Sequence, residues 1–226
     1  MRRIAPLTLT CLAASTLILL GGCAGPGSQG LGSVIFLHPD GTSAANWVAA
    51  RNVHVGPDAQ LNWDKLPAIG VYRGHMKDSL TATSNGGATT HAYGIKVGSG
   101  AFGMSDGGDH AKPLVNDQGQ SFSIAAQAMR AGLPVGLVQS GTAVEPGTAC
   151  FVTSVPARKM HDQIAAQLVA SGADVILGGG ERHFLPKGAQ GVHGPGDRAD
   201  DRNLIQEAKA AGYTVVRTRA EMLALP

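Results

Sequence analysis

The sequence predicts a layered α/β domain built on a largely parallel sheet. Helical and strand patterns alternate along the chain, as expected when each strand is followed by a crossover helix. The strand segments are short, apolar and rich in β-branched residues, a pattern typical of strands that are buried on both faces. With 226 residues, of which 43% are hydrophobic and 15% charged, the chain is long enough for one sizeable core.

Strand character is found in segments bounded by turn residues. Residues 33–37 (SVIFL) form an apolar run that stops at a His-Pro-Asp-Gly turn, and the stretch 61–72 ends in a second strand pattern. Further apolar segments with the same character are PVGLVQ (134–139), DVIL (174–177) and YTVVR (213–217).

Helical patterns lie between these strands. A helix is predicted to begin at Ala88, and longer ones cover 122–131 and 159–170, each followed by a glycine stop. A helix over 203–211 and a short one that opens at Glu221 complete the alternation. Sites in such sheets lie at the carboxyl ends of strands, so Asp40, the residues after Gln139 and the turn at Gly178 are expected on one edge.

The N-terminus has the pattern of an export signal. A basic start (Met-Arg-Arg) precedes a short apolar run that closes on Leu-Gly-Gly-Cys. This ending resembles a bacterial lipobox, so residues 1–22 are interpreted as a lipoprotein signal peptide and Cys23 as the lipid-bearing residue. Residues 23–32 then form a flexible tether, and 33–226 the folded part. The expected location is periplasmic or cell-surface, anchored to the membrane; the alternative is a plain signal peptide with a chance cysteine.

Cysteine usage argues against a disulfide-bonded fold, and the charge argues against a nucleic-acid-binding protein. Cys11 lies in the signal and Cys23 is assigned to the lipid, so only Cys150 remains, which excludes an intramolecular disulfide in the folded part. The net charge of +2, the absence of a basic run and only ten aromatic residues give no indication of a nucleic-acid partner.

The most distinctive stretch is TSNGGATTHAYGIK, in which Ser84 is followed by a run of small residues. A serine at a helix start can meet an oxyanion, because the backbone N–H groups and the helix dipole favour phosphate there. Serine is a weak nucleophile without a base or a metal, and no triad order is evident, which favours a metal. Asp40 is a candidate ligand or only a turn residue, and Ser79, beside Asp78, is the weaker rival nucleophile.

This stretch resembles the nucleophile segment of alkaline phosphatases: a serine, three small residues, Ala-Thr, then Gly-x-Lys. VIFLHPDG is similar to the first strand of that family with its metal-binding aspartate, and LPAIGVYRG to the segment before the nucleophile. SGADVILGGGERHF and AAGYTVVRTRAEMLAL are also similar, so the resemblance spans about residues 33–225. It implies a three-layer α/β sandwich and hydrolysis of phosphate monoesters with two Zn²⁺ ions and Mg²⁺.

The resemblance also implies roles for residues. Ser84 would attack phosphorus to form a phosphoserine and would bind one zinc, and Asp40 would bridge zinc and magnesium. Arg158 would clamp the phosphate, which suits a planar guanidinium; on its own, it would be a surface arginine. Glu145 stands at the magnesium position where the family has Thr or Ser before proline, and Thr148 is the second candidate.

Two departures from the family pattern qualify this interpretation. Thr83 stands where many members have an aspartate that orients the arginine. The sequence stops at Pro226, so it is expected to represent the N-terminal half of a truncated domain that lacks the later metal ligands. The alternatives are therefore a catalytically incompetent fragment that binds phosphate or metal weakly, and a related esterase that acts on diesters or sulfate esters. A homodimer is compatible with the family, which is often dimeric.

Overall fold

The computed structural model describes residues 32–226. The predicted signal peptide, Cys23 and nearly all of the predicted tether lie outside this range. The described residues belong to two units, which divide between residues 37 and 38. In the first unit, residues 32–37 run without regular secondary structure. Within the described range, each helix is too short or too polar to cross a lipid bilayer.

The second unit is an α/β assembly around a parallel strand pair. Strand β1 (Gly136–Thr142) pairs with β2 (Val175–Gly179), with Gly136 opposite Val175 and an irregularity in register between Val138 and Thr142. The helices of this unit are α1 (Ala44–His54), α2 (Ser84–Tyr93), α3 (Ile124–Arg130), α4 (Pro146–Ala149), α5 (His161–Ala170), α6 (Leu204–Ala210) and α7 (Arg219–Leu223). Short 3₁₀ turns cover Asn62–Lys65, Gly108–His110 and Glu181–Phe184. The predicted α/β class with a parallel sheet is confirmed.

The core lies between the strand pair and the helices that follow it. Helix α5 directs Ile164, Ala165 and Leu168 inward, and these residues pack in one buried cluster with Leu137 of β1. The spacing of these three residues places them on one face of a helix, which explains why this amphipathic segment covers the sheet. Helix α2 contributes Ala88 to the same cluster. This contact packs the helix that begins at Ser84 against the core of the sheet.

Three strand predictions are wrong in this structure. Residues 33–37, the end of 61–72 and residues 213–217 carry no strand. Val34 is 93% and Val71 98% exposed, so these apolar side chains have not been buried by a neighbour. A strand exists only through hydrogen bonds to a neighbouring strand, and in the described residues the ladder is limited to β1 and β2.

Candidate functional site

Ser84 is the first residue of α2, four residues before the predicted helix start, and it is partly buried. Thr83 is the N-cap: its hydroxyl accepts a hydrogen bond from the Gly86 N–H at 3.1 Å and donates one to the Ser99 carbonyl at 2.6 Å. The first-turn N–H groups of Ser84 and Asn85 donate no hydrogen bond within residues 32–226. An anion at this helix end would therefore find both donors and the positive end of the dipole.

The small residues after Ser84 have two different surroundings. A methyl group on Gly86 would lie 2.5 Å from the Met76 sulfur and 3.0 Å from the Gly98 carbonyl oxygen, so packing requires glycine there. A methyl group on Gly87 would meet no atom within 4 Å. The run therefore serves packing at Gly86 and leaves open space at Gly87.

Glu145 and Arg158 are brought together at the carboxyl end of β1. Strand β1 ends at Thr142, and Glu145 is the N-cap residue of α4. Its carboxylate does not cap the helix but accepts from the Arg158 guanidinium in an ion pair. The two side chains remain 36% and 47% exposed, so water and solutes reach both groups.

Glu145 is the N-cap residue of a helix, α4, that packs against the Ser84 helix. Helix α4 contacts α2, and the Cys150 thiol at the end of α4 donates to the Asn85 carbonyl at 3.8 Å. Burial raises the pKa of the Cys150 thiol to about 12, so it stays protonated and serves as packing rather than as a nucleophile. Thr148 lies within α4, and its role as the alternative magnesium ligand stays a prediction.

Asp40 lies in an exposed turn before Gly41, which has a φ of +67°. Within residues 32–226 its carboxylate makes no recorded hydrogen bond or ion pair to Ser84, Glu145 or Arg158. The structure thus joins Glu145 with Arg158, and Glu145 is the N-cap residue of a helix that packs against the Ser84 helix, whereas Asp40 forms no hydrogen bond or ion pair with these residues. The roles assigned to these residues stay predictions.

The donors only partly fit the metals that the resemblance implies. Carboxylate and hydroxyl oxygens suit Mg²⁺, but in the part of the chain that the structure describes, no three His, Cys, Asp or Glu side chains converge to hold a metal ion. Zinc sites in proteins need three or four ligands. Asp40, Ser84 and Glu145 could therefore supply only part of a ligand set.

Sequence reasoning missed a group of three aromatic rings that includes one from helix α2. The ring of His91, on α2, lies 4.7 Å from that of His38 and 5.0 Å from that of Tyr72 between centroids. Partial burial and, second, the charge of His38 lower the pKa of His91. His38 and His91 each lie inside a quoted motif, so the signal was present, but nothing in the linear pattern pairs them.

The rival nucleophile is not activated by its neighbour. The Asp78 carboxylate accepts from the N–H and hydroxyl of Ser99, at 2.7 and 2.8 Å, and these hydrogen bonds lower the pKa of Asp78. The Ser79 hydroxyl instead contacts that of Thr81 at 3.1 Å. The predicted Asp78–Ser79 pair is therefore not formed.

Comparison with known proteins gives consistent matches. A family model described as alkaline phosphatase matches residues 32–226. The chain is 32% identical to the streptomycin-6-phosphate phosphatase of Streptomyces griseus, over 85% of this chain and 44% of that protein. It is also 32% identical to the repressible alkaline phosphatase of Saccharomyces cerevisiae, over 94% of this chain and 38% of that protein.

Solved structures give the same result. The cold-active alkaline phosphatase of the psychrophile Shewanella sp. superimposes with a TM-score of 0.65 at 25% identity, over 82% of this chain and 42% of that one. The Thermus thermophilus alkaline phosphatase has a TM-score of 0.57 at 31% identity, over 69% of this chain and 29% of that one. The chain spans about two-fifths of the length of the curated relatives it matches.

Proposed function

The chain belongs to the alkaline phosphatase family, and we propose that the protein hydrolyses phosphate monoesters with Ser84 as the nucleophile. The observation that carries this proposal is the position of Ser84 at the start of α2. Two backbone N–H groups there donate no hydrogen bond within residues 32–226 and can donate to an anion. The name of the Streptomyces griseus relative, a phosphatase of a phosphorylated small molecule, supports the same class of substrate.

In the proposed reaction, the N–H groups of Ser84 and Asn85 and the guanidinium of Arg158 hold the phosphate oxygens. The Ser84 Oγ attacks phosphorus as the bond to the substrate alcohol breaks, and the alcohol leaves with a proton. Water then hydrolyses the phosphoserine to inorganic phosphate and restores the Ser84 hydroxyl. The negative charge that builds on the transferring group is stabilised by these oriented donors.

In the proposed reaction Arg158 exchanges its contact with Glu145 for phosphate. Exposed ion pairs of this kind contribute only about 0–1 kcal/mol, so a doubly charged phosphate can replace the single carboxylate. The planar fork of the guanidinium then forms two parallel hydrogen bonds to phosphate oxygens. Glu145 would be released at the same step.

We further propose that the activity depends on Zn²⁺ and Mg²⁺, with Asp40 and Ser84 as zinc ligands and Asp40 and Glu145 as magnesium ligands. A bound divalent ion supplies a Lewis acid that favours the deprotonated hydroxyl. Because these residues make up only part of a ligand set, the full activity is proposed for a protein in which further ligands are present.

The second candidate is a chain that binds phosphate without turnover. It is favoured by one observation: among residues 32–226, no three His, Cys, Asp or Glu side chains converge to hold a metal ion. Both candidates predict phosphate binding that Arg158→Ala removes, and only the first predicts turnover.

The test is hydrolysis of p-nitrophenyl phosphate at alkaline pH with added zinc and magnesium, beside the matched variants Ser84→Ala and Ser79→Ala. Turnover that only Ser84→Ala removes supports the nucleophile. Turnover that survives Ser84→Ala refutes it, and phosphate binding without turnover supports the second candidate. A phosphodiester and a sulfate ester, run in parallel, test whether monoesters are preferred.

We also propose that the protein is exported and anchored to the membrane through a lipid on Cys23. The support is the sequence pattern around this cysteine alone. Metabolic labelling with radioactive palmitate is expected to mark the chain and to be lost in Cys23→Ser but kept in Cys11→Ser. Labelling that persists in Cys23→Ser would contradict the anchor. Sedimentation of the purified protein would test whether it forms the homodimer with which the family is compatible.

A further inference from the structure

A nearly buried histidine lies in the 3₁₀ turn that follows β2. We call this turn, Glu181–Phe184, the His183 turn; it begins directly after Gly180. His183 is only 4% exposed, and none of the roles assigned above uses it. A buried imidazole is costly to charge unless the new charge finds a partner, so the groups around His183 determine how it responds to pH.

The contacts of the His183 ring suit an uncharged imidazole. The Arg182 Nε–H donates to the His183 Nε2 at 3.4 Å, which requires the lone pair on that nitrogen. The ring of His161, the first residue of α5, lies 4.6 Å from the His183 ring between centroids. Protonation of His183 would occupy the Nε2 lone pair, remove this hydrogen bond and place an imidazolium beside the permanent charge of Arg182.

Charges of both signs surround this imidazole, and its surroundings favour the neutral form. Burial is the largest cause that lowers the pKa of His183, and the charges of His161 and Arg182 act in the same direction. The carboxylates of Asp197 and Asp162 act in the opposite direction without reversing the shift. The charged and titratable groups around the ring are Lys159, His161 and Asp162 at the start of α5, Arg182 in the turn, and Asp197 and Arg198 on the segment after it, with Arg198 paired to Asp200. The folded chain therefore takes up this proton less readily than the unfolded chain.

Buried hydrogen bonds join the His183 turn and the segment after it to the start of α5. The fully buried Arg198 donates to the carbonyls of Asp162 and His183, at 3.0 and 2.9 Å. The Asp162 carboxylate accepts from the Ala199 N–H at 3.0 Å. Residues 181–200 are thus attached to α5 at the place where the two imidazoles meet, so repulsion between charged rings would act on this same attachment.

The His183 turn also packs close to the carboxyl end of β1. A methyl group added to Gly180 would lie 3.2 Å from the His183 Cδ2 and 2.9 Å from the Thr142 Cβ, so Gly180 lies between the ring and the strand. The Thr142 carbonyl in turn accepts from the Glu145 N–H at 3.0 Å. A change in the His183 turn would therefore be felt next to the segment that presents Glu145.

We propose that His161 and His183 form a pH-dependent switch, which holds residues 181–200 on the start of α5 while both imidazoles are neutral and releases them when the imidazoles are protonated. This inference goes beyond the proposed function and does not depend on it. Because the pKa of His183 is lowered in the folded chain, the stability that the neutral pair contributes is fully present above about pH 6.5, the ordinary histidine value, and is lost as the pH falls through the folded pKa. Release lets water solvate the imidazolium ions and separates them from Arg182.

Hydrogen exchange of the purified chain, followed by mass spectrometry, measures this release. After correction for the intrinsic pH dependence of exchange, the protection of peptides from 181–200 is expected to fall about two- to tenfold for each pH unit between about 6.5 and 5, because release is coupled to the uptake of about one proton. His183→Gln keeps an uncharged acceptor for Arg182 at every pH and is expected to remove this fall. His110→Gln, an exposed histidine in another 3₁₀ turn, is the matched control and should keep it.

An NMR titration of the unaltered chain keeps the proposal testable if His183→Gln does not fold. The ring signals of His183 are expected to change below about pH 6.5, in step with the loss of protection in 181–200. Ring signals that titrate at or above this pH, protection that does not change with pH, or a fall in His183→Gln as large as in the unaltered chain would each overturn the switch.

Discussion

Alanine substitution at two adjacent glycines of α2 is expected to have opposite effects on stability. Gly86 and Gly87 both lie in the first turns of the same helix and are both buried. Each alanine gains about 0.5–1 kcal/mol of helix propensity over glycine. The two variants differ in what the added methyl group meets, so the comparison isolates the packing around Gly86.

The structure sets the size of the difference. In Gly86→Ala, the methyl group would lie 2.5 Å from the Met76 sulfur, 2.9 Å from the Thr83 hydroxyl and 3.0 Å from a backbone carbonyl. The methionine can move, but the carbonyl cannot, and overpacking of this kind costs about 1–3 kcal/mol. Gly87→Ala meets no atom within 4 Å and keeps its propensity gain. We therefore expect the two free energies of unfolding to differ by about 1–3 kcal/mol, with Gly87→Ala the more stable.

Urea unfolding followed by far-UV circular dichroism measures this difference directly. Equal slopes with shifted midpoints would show that stability changed while the surface exposed on unfolding did not. In a thermal scan the two variants should be separated by about 3–10 °C. Gly86→Ala as stable as Gly87→Ala would refute the packing argument, and the whole run of small residues would then have to be explained by access to Ser84.

Three further predictions concern buried groups. Arg198→Ala should lower the free energy of unfolding by at least about 3 kcal/mol in urea, because a buried and a partly buried carbonyl lose the donor that the fully buried guanidinium provides; a loss below about 1 kcal/mol would contradict this. Cys150, whose pKa burial raises to about 12, should react with thiol reagents only as fast as residues 38–226 unfold, so immediate labelling in native buffer would refute its burial. Because the pKa of His91 is lowered in the folded chain, the unfolded chain takes up a proton first as pH falls below about 6.5, the ordinary histidine value, and stability should fall there; urea midpoints that fall equally in His91→Gln would count against this.

The sequence predicted the elements that find partners nearby in the chain. The apolar runs at 134–139 and 174–177 became β1 and β2, because α5 connects them as a crossover and lets them pair. Residues 213–217 carry the same signal but no strand, since local composition reports that a segment can be buried in a sheet, not that a neighbour is present. The predicted start of α2, at Ala88, lies four residues after the observed one, because Gly86 and Gly87 weaken the helical pattern in the sequence. Thr83 nevertheless caps the helix at its observed start.

The functional site shows a different limit of sequence reasoning. Ser84 could be located because its helix start is encoded in consecutive residues. The contact between Glu145 and Arg158 could not, because it depends on α4 and the following loop turning the chain back over thirteen residues. The resemblance assigned one of these residues to metal and the other to phosphate, as separate roles. In the folded chain each is the other's counter-ion, so a group that binds one of them changes the charge that the other faces, and this coupling is a property of the pair.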